Sequence, residues 1–161
     1  MKSNFQNLTV SHRPHCRRIC AATLLTAGLA LSVLAGAETT PSPTGTRTAW
    51  ENVFTSTQVE RGKKAYNADC ARCHGETLGG GEDSPALVDA TFFKGWAGKS
   101  VGELVEYTRT EMPSDGPGKI TRRRCTDIVA YVLSANGFPA GETELPSDLD
   151  FLNQITITRK K

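Results

Sequence analysis

Apolar and polar positions divide this chain into stretches with different periods. From Ile19 to Ala37 nineteen residues pass without a charge, behind a leading segment that holds Lys2, Arg13, Arg17 and Arg18 and no acid. A basic start, an apolar run through Leu24, Leu25, Leu29, Leu31, Val33 and Leu34, and the small residues Ala35-Gly36-Ala37 make the pattern of a secretory signal peptide, residues 1–37, cleaved before Glu38. Left uncleaved, the run approaches the length of a bilayer span and would be the chain's one route to membrane contact. Its alanines and threonines make it weakly apolar, which favours cleavage. General secretion is expected over the twin-arginine route that Arg17-Arg18 suggests. Cys16 and Cys20 precede the apolar run and leave with it.

Residues 38–55 begin in Thr, Pro, Ser and Gly and read as a flexible leader. Helical patterns follow. Thr57-Gln58-Val59-Glu60 has the form of a capping box, so a helix is expected from there to about Asp69. Ser100-Val101-Gly102-Glu103 is a second capping box, opening a helix with Val101, Leu104, Val105 and Thr108 at helical spacing. It must stop at Met112, because Pro113 disfavours helical geometry in the residue before it. Thr121 can cap a third helix, whose Cys125, Ile128, Val129 and Val132 form an i, i+3, i+4, i+7 stripe ended by Gly137 and Pro139. Gly75 to Gly98, broken by Gly79-Gly80-Gly81 and Pro85, should wrap as a loop with at most a short helix. One all-α domain over 56–139 results. Residues 140–161, with the alternation Ile155-Thr156-Ile157, are expected to form an irregular surface extension in which that alternation could be a strand.

The formal charge of +2 describes the whole chain; residues 1–37 hold four of its 19 basic residues and none of its 17 acids, so the remainder carries −2. No excess of positive charge argues for nucleic acid as a partner. A buried prosthetic group would supply apolar surface that so short a chain lacks.

The chemistry concentrates in Cys70-Ala71-Arg72-Cys73-His74. C-x-x-C-H is the attachment signature of a c-type haem: two thiols at this spacing add to the two vinyl groups of one porphyrin, and the adjacent imidazole becomes the proximal iron ligand. A thioredoxin-like pair would want a βαβ setting, whereas helix and loop surround this one. A zinc site built from Cys70, Cys73, His74 and Cys125 would ask the chain neighbours Cys73 and His74 to meet one tetrahedral ion.

Without residues 1–37, His12 and His15 are gone and His74 is the last histidine, which excludes two histidine ligands from one chain. Met112 is then the last methionine, about forty residues after His74, at a helix end followed by Pro113 and the loop Ser114-Asp115-Gly116-Pro117-Gly118. Its thioether is the one conventional sixth ligand on hand.

With these residues in view, the stretch from about Thr57 to Gly137 resembles a class I, mono-haem cytochrome c. The resemblance implies an all-α fold of three to five helices wrapped around one covalent haem c, with Cys70 and Cys73 attaching it and His74 and Met112 on its iron. Gly62 and Tyr66 match the small and aromatic positions where the first helix crosses the last, and Tyr131 the aromatic facing them. Pro85, with Leu87, resembles the loop whose proline carbonyl accepts the proximal imidazole N–H. Trp96 resembles the aromatic beside a haem propionate, with core packing as the other reading. Leu78-Gly79-Gly80-Gly81 and Phe93 to Trp96 are more similar to small bacterial periplasmic cytochromes that accompany quinoprotein-type dehydrogenases than to mitochondrial carriers.

The function so implied is that of a periplasmic electron carrier rather than an enzyme, exchanging electrons with a dehydrogenase and an oxidase or another cytochrome. Two other readings keep the haem and change its use: a sensor or enzyme with an open sixth site, and a fixed cytochrome subunit of a dehydrogenase complex that residues 140–161 would dock. Two features depart from the family pattern, Cys125 in the last helix and a tail after Gly137 longer than a minimal cytochrome requires. Cys125 reads as a buried, unreactive thiol or as half of an intermolecular disulfide. Arg122-Arg123-Arg124, at the positive end of a helix dipole, read as a solvated surface with acidic neighbours such as Asp127, or as a docking patch for an acidic redox partner.

Overall fold

The computed structural model describes residues 47–160; the proposed signal and residues 38–46 lie outside the described residues. Helix α1 spans Ser56–Asp69, and its cap is Thr55, whose hydroxyl accepts from the Gln58 amide at 3.1 Å. This corrects the expected cap at Thr57 by two residues. With the cap at Thr55, Gln58 holds the third helical position, where a capping-box side chain would reach back, but it turns inward instead. Its side-chain amide donates to Asp127 and to the Leu145 carbonyl, and its oxygen accepts from the Leu145 amide.

The buried face of α1, Gln58, Gly62, Ala65 and Tyr66, lies on α5, Arg122–Ala135. Gly62 is required there by contact: a Cβ would stand 1.9 Å from the Asp127 carbonyl oxygen. One turn on, the rings of Tyr66 and Tyr131 meet at 5.4 Å. Helix α5 is capped by Thr121 as its sequence indicates. It buries more than its apolar stripe, with Thr126, Asp127, Ala130 and Leu133 covered as well, because α1 takes one side and α4, Val101–Glu111, another. The capping box of α4 is present in full, with Ser100 accepting from the Glu103 amide and the Glu103 carboxylate from the Ser100 amide. Between α1 and α4 lie a single turn, α2 at Ala71–His74, and the short helix α3 at Asp89–Trp96, within the loop the sequence indicates.

Both flanks of the expected domain need correction. Arg47–Thr48 forms strand β1 and Ile155–Thr156 forms β2, paired in parallel with Arg47 opposite Ile155. Ala49, Val53 and Phe54, placed in the leader by sequence, are buried. So are Leu145, Ile155, Ile157 and Leu152, the last residue of the turn α6 at Leu149–Leu152, each 3% exposed or less. Burying side chains of this size contributes roughly 1.5–3 kcal/mol each, which makes residues 145–157 part of the core and not a surface extension. The close packing extends to Gly102, where a Cβ would meet the Asn153 amide nitrogen at 3.0 Å.

Polar side chains seal this join. Arg61 binds Asp127 through two nitrogens and Glu144 through a third, at 2.8 Å. The Glu144 carboxyl is held below its ordinary range chiefly by that Arg61 hydrogen bond. Asp127 is therefore Arg61's partner and not, as the sequence suggests, a neighbour relieving the arginine triplet. The triplet is paired elsewhere, Arg122 with Glu106, Arg123 with Glu144 and Arg124 with Asp69, which offsets its unfavourable place on the helix dipole. Among the described residues no helix is long and apolar enough to cross a membrane.

Candidate haem site

Helix α1 ends at Asp69, and Cys70, whose amide still bonds to the Tyr66 carbonyl, passes the chain straight into the turn of α2. The C-x-x-C-H run therefore sits on a rigid element. Tyr66 reinforces it, its hydroxyl donating to the Gly75 carbonyl at 2.7 Å. Burial pushes the Tyr66 phenol up to about 12, so it stays a donor throughout the physiological range.

Beyond His74 the chain folds back, with Gly80 donating to the His74 carbonyl and Leu87 to that of Leu78. Asn136, at the end of α5, clamps the return by donating to the Leu87 carbonyl and accepting from the Asp89 amide. The Pro85 carbonyl then lies 2.8 Å from His74 Nδ1. A carbonyl can only accept, so Nδ1 carries the proton and Nε2 keeps its lone pair for a metal.

Cys70, Cys73 and His74 line one part of a cavity of about 480 Å³. Met112 lines another, set there because α4 ends on it in extended geometry, as Pro113 demands of its predecessor. Apolar walls come from Leu87, Phe92, Leu104, Ile128, Val129 and Val132, so much of the α5 stripe faces this cavity. Trp96 also lines it, its ring edge-on to Tyr107 at 5.5 Å. All six residues singled out by sequence, Cys70, Cys73, His74, Pro85, Trp96 and Met112, thus meet at one cavity.

Sequence reasoning missed Asn136, and it missed an ion pair between Arg72, inside the motif, and Asp115, three residues past Met112. Only the Asn just after the last helical turn hinted at the first. Cys125 is fully buried away from the cavity lining, and burial pushes its thiol up to about 11. Among the described residues the three cysteines are free, and no group of three or more His, Cys, Asp or Glu is placed to hold a metal, so the zinc alternative is not assembled.

Residues 57–132 match the family described as cytochrome C oxidase, cbb3-type, subunit III. The match supports a class I cytochrome c domain over these residues. Photosystem II extrinsic protein V of Cyanophora paradoxa is 32% identical over 117 residues, 67% of this chain and 65% of that protein, so the match spans just under two thirds of the relative's length. Among solved structures, that of the sulfane dehydrogenase SoxCD from Paracoccus pantotrophus aligns with a TM-score of 0.44 at 19% identity, over 67% of this chain and 61% of that one.

A cytochrome c domain implies covalently bound haem c and haem-based electron transfer. The residues present fit that group. The cavity wall is largely apolar, as a porphyrin face requires, and the imidazole on it is oriented through Nδ1 alone. Burial, with the Asp69 charge adding to it, pushes the Cys70 thiol up to about 12; a thioether is uncharged and suits such a place.

Proposed function

We propose that this protein is a periplasmic single-electron carrier with one haem c, attached through Cys70 and Cys73 and ligated by His74 and Met112. The observation that carries the reading is the convergence of these four side chains on one largely apolar cavity, with His74 Nδ1 bonded to the Pro85 carbonyl. Bound there, the haem would supply a ferric/ferrous couple, and His/Met ligation raises its potential relative to two nitrogen ligands. The chain's own part is positional. Pro85 fixes the tautomer and orientation of His74, Asn136 and Tyr66 brace the loop that does so, and Pro113 holds Met112 at the cavity. With His74 and Met112 both held at the cavity to ligate the iron, the chain would rearrange little on each electron exchange. Residues 1–37 direct the chain out of the cytoplasm, and the partners are a dehydrogenase on one side and an oxidase or another cytochrome on the other.

Two measurements test this. Acid acetone should leave the haem on the wild-type protein, and Cys70→Ala or Cys73→Ala should weaken or abolish maturation; extraction of the haem defeats the attachment. The oxidised protein should show a weak band at the red edge of the visible spectrum, lost in Met112→Ala together with a fall in potential and new affinity for carbon monoxide. If Met112→Ala keeps the wild-type spectrum and potential, Met112 only packs, and the open-site reading takes precedence.

A further inference from the structure

Seven of the eight described arginines, from Arg47 to Arg124, are spent on ion pairs within the molecule. The exception is Arg159. It has company: Lys99 and Lys160 likewise have no carboxylate partner among the described residues, and all three are exposed. Instead each lies over an aromatic ring. Lys99 Nζ is 4.8 Å from the centre of Trp96, the Arg159 guanidinium 5.3 Å from that of Phe93, and Lys160 Nζ 5.7 Å from that of Trp50.

Three of the rings meet in a row, and the fourth, Trp96, follows along α3. Trp96 and Phe93 are three residues apart on α3 and share a face, Phe93 approaches Phe138 at 6.0 Å, and Phe138 stacks on Trp50 at 4.2 Å. The Trp50 indole donates to the Thr158 carbonyl, and Gly98 and Lys99 exchange backbone hydrogen bonds with Ile157, so the three cations are carried on backbone tied into the fold. Trp96 at one end of the row lines the haem cavity.

We infer that this row of ring-seated cations is the docking face for an acidic partner protein, with Trp96 bringing that partner against the haem cavity wall. The inference rests on the carrier reading above. Its physical basis is charge complementarity: cations held by rings keep their charge for an outside anion, whereas those of the Arg122 to Arg124 triplet are satisfied internally. The rest of the exported chain is net acidic, so an incoming acidic surface is repelled elsewhere and attracted here. A lipid surface fits less well, because the rings are half-buried beneath their cations and the one exposed large hydrophobic side chain among the described residues, Tyr107, adjoins only the Trp96 end of the row.

The test uses haem-loaded protein and a carboxylate-terminated monolayer on gold as the acidic probe, with binding followed by adsorbed mass. Arg159→Glu/Lys160→Glu, which spares Lys99 because that residue also lines the haem cavity, should weaken adsorption at low salt by about tenfold or more, while Lys63→Glu/Lys64→Glu, an equal charge change on the exposed side of α1, should leave most of it. Equal losses in the two variants would make adsorption a matter of net charge and overturn the proposal. Salt-resistant binding to phosphatidylglycerol vesicles would make the face a membrane surface and overturn it too. The haem spectrum and potential should be unchanged in both variants, so failure of the docking face is distinguishable from failure of the haem reading.

Discussion

Gly62 illustrates how much one missing methyl group can decide. With the Cβ position 1.9 Å from a backbone oxygen of α5, no rotamer relieves the clash, and the two helices must part. Gly62→Ala should therefore cost about 3 kcal/mol or more in denaturant unfolding, despite the better helix propensity of alanine. A small or stabilising effect would mean that α1 and α5 are less closely crossed. At the residue scale the site was largely legible in the sequence, because C-x-x-C-H, Pro85 and Met112 each carry a local chemical reason to be where they are. What escaped notice were groups whose role depends on a distant partner. Arg61, Asp127 and Glu144 are ordinary surface types until the fold brings residues 66 and 83 positions apart into hydrogen-bond contact.

At the scale of elements, capping chemistry and periodicity located the three long helices, and only the start of α1 slipped, from Thr57 to Thr55. The flanks were misread because their signals are short and their partners remote. β1 is two polar residues with no pattern of its own, and β2 gains meaning only beside it, although the Ile155/Ile157 alternation matched a strand buried on one face. Leu152→Ala should lower stability by about 2–5 kcal/mol, as for a core leucine, whereas a surface extension would tolerate it.

The Arg61–Glu144 contact that fastens this segment should also make stability depend on pH. The folded-state pKa of Glu144 is depressed below the ordinary 4.5, so its contribution is full above that value and is lost as pH falls through the folded value. In thermal unfolding, Glu144→Gln should be less stable than wild type at neutral pH, with the gap closing below pH 4.5. Glu144 is 39% exposed, so solvent keeps the gap modest. A gap that persists undiminished in acid would assign the effect to packing instead of charge.

Across the whole molecule, the pairing of Arg47 with Ile155 sets the two ends of the described fold side by side. Its contacts thereby close into a ring: α1 on α5, α5 on α4, and the strand after α6 back onto the strand before α1. In such a ring the position of the break in the covalent chain is a detail of synthesis, not of architecture. A circular permutant, with a short linker joining 160 to 47 and new ends in an exposed turn, should fold to the same arrangement of helices around the same cavity.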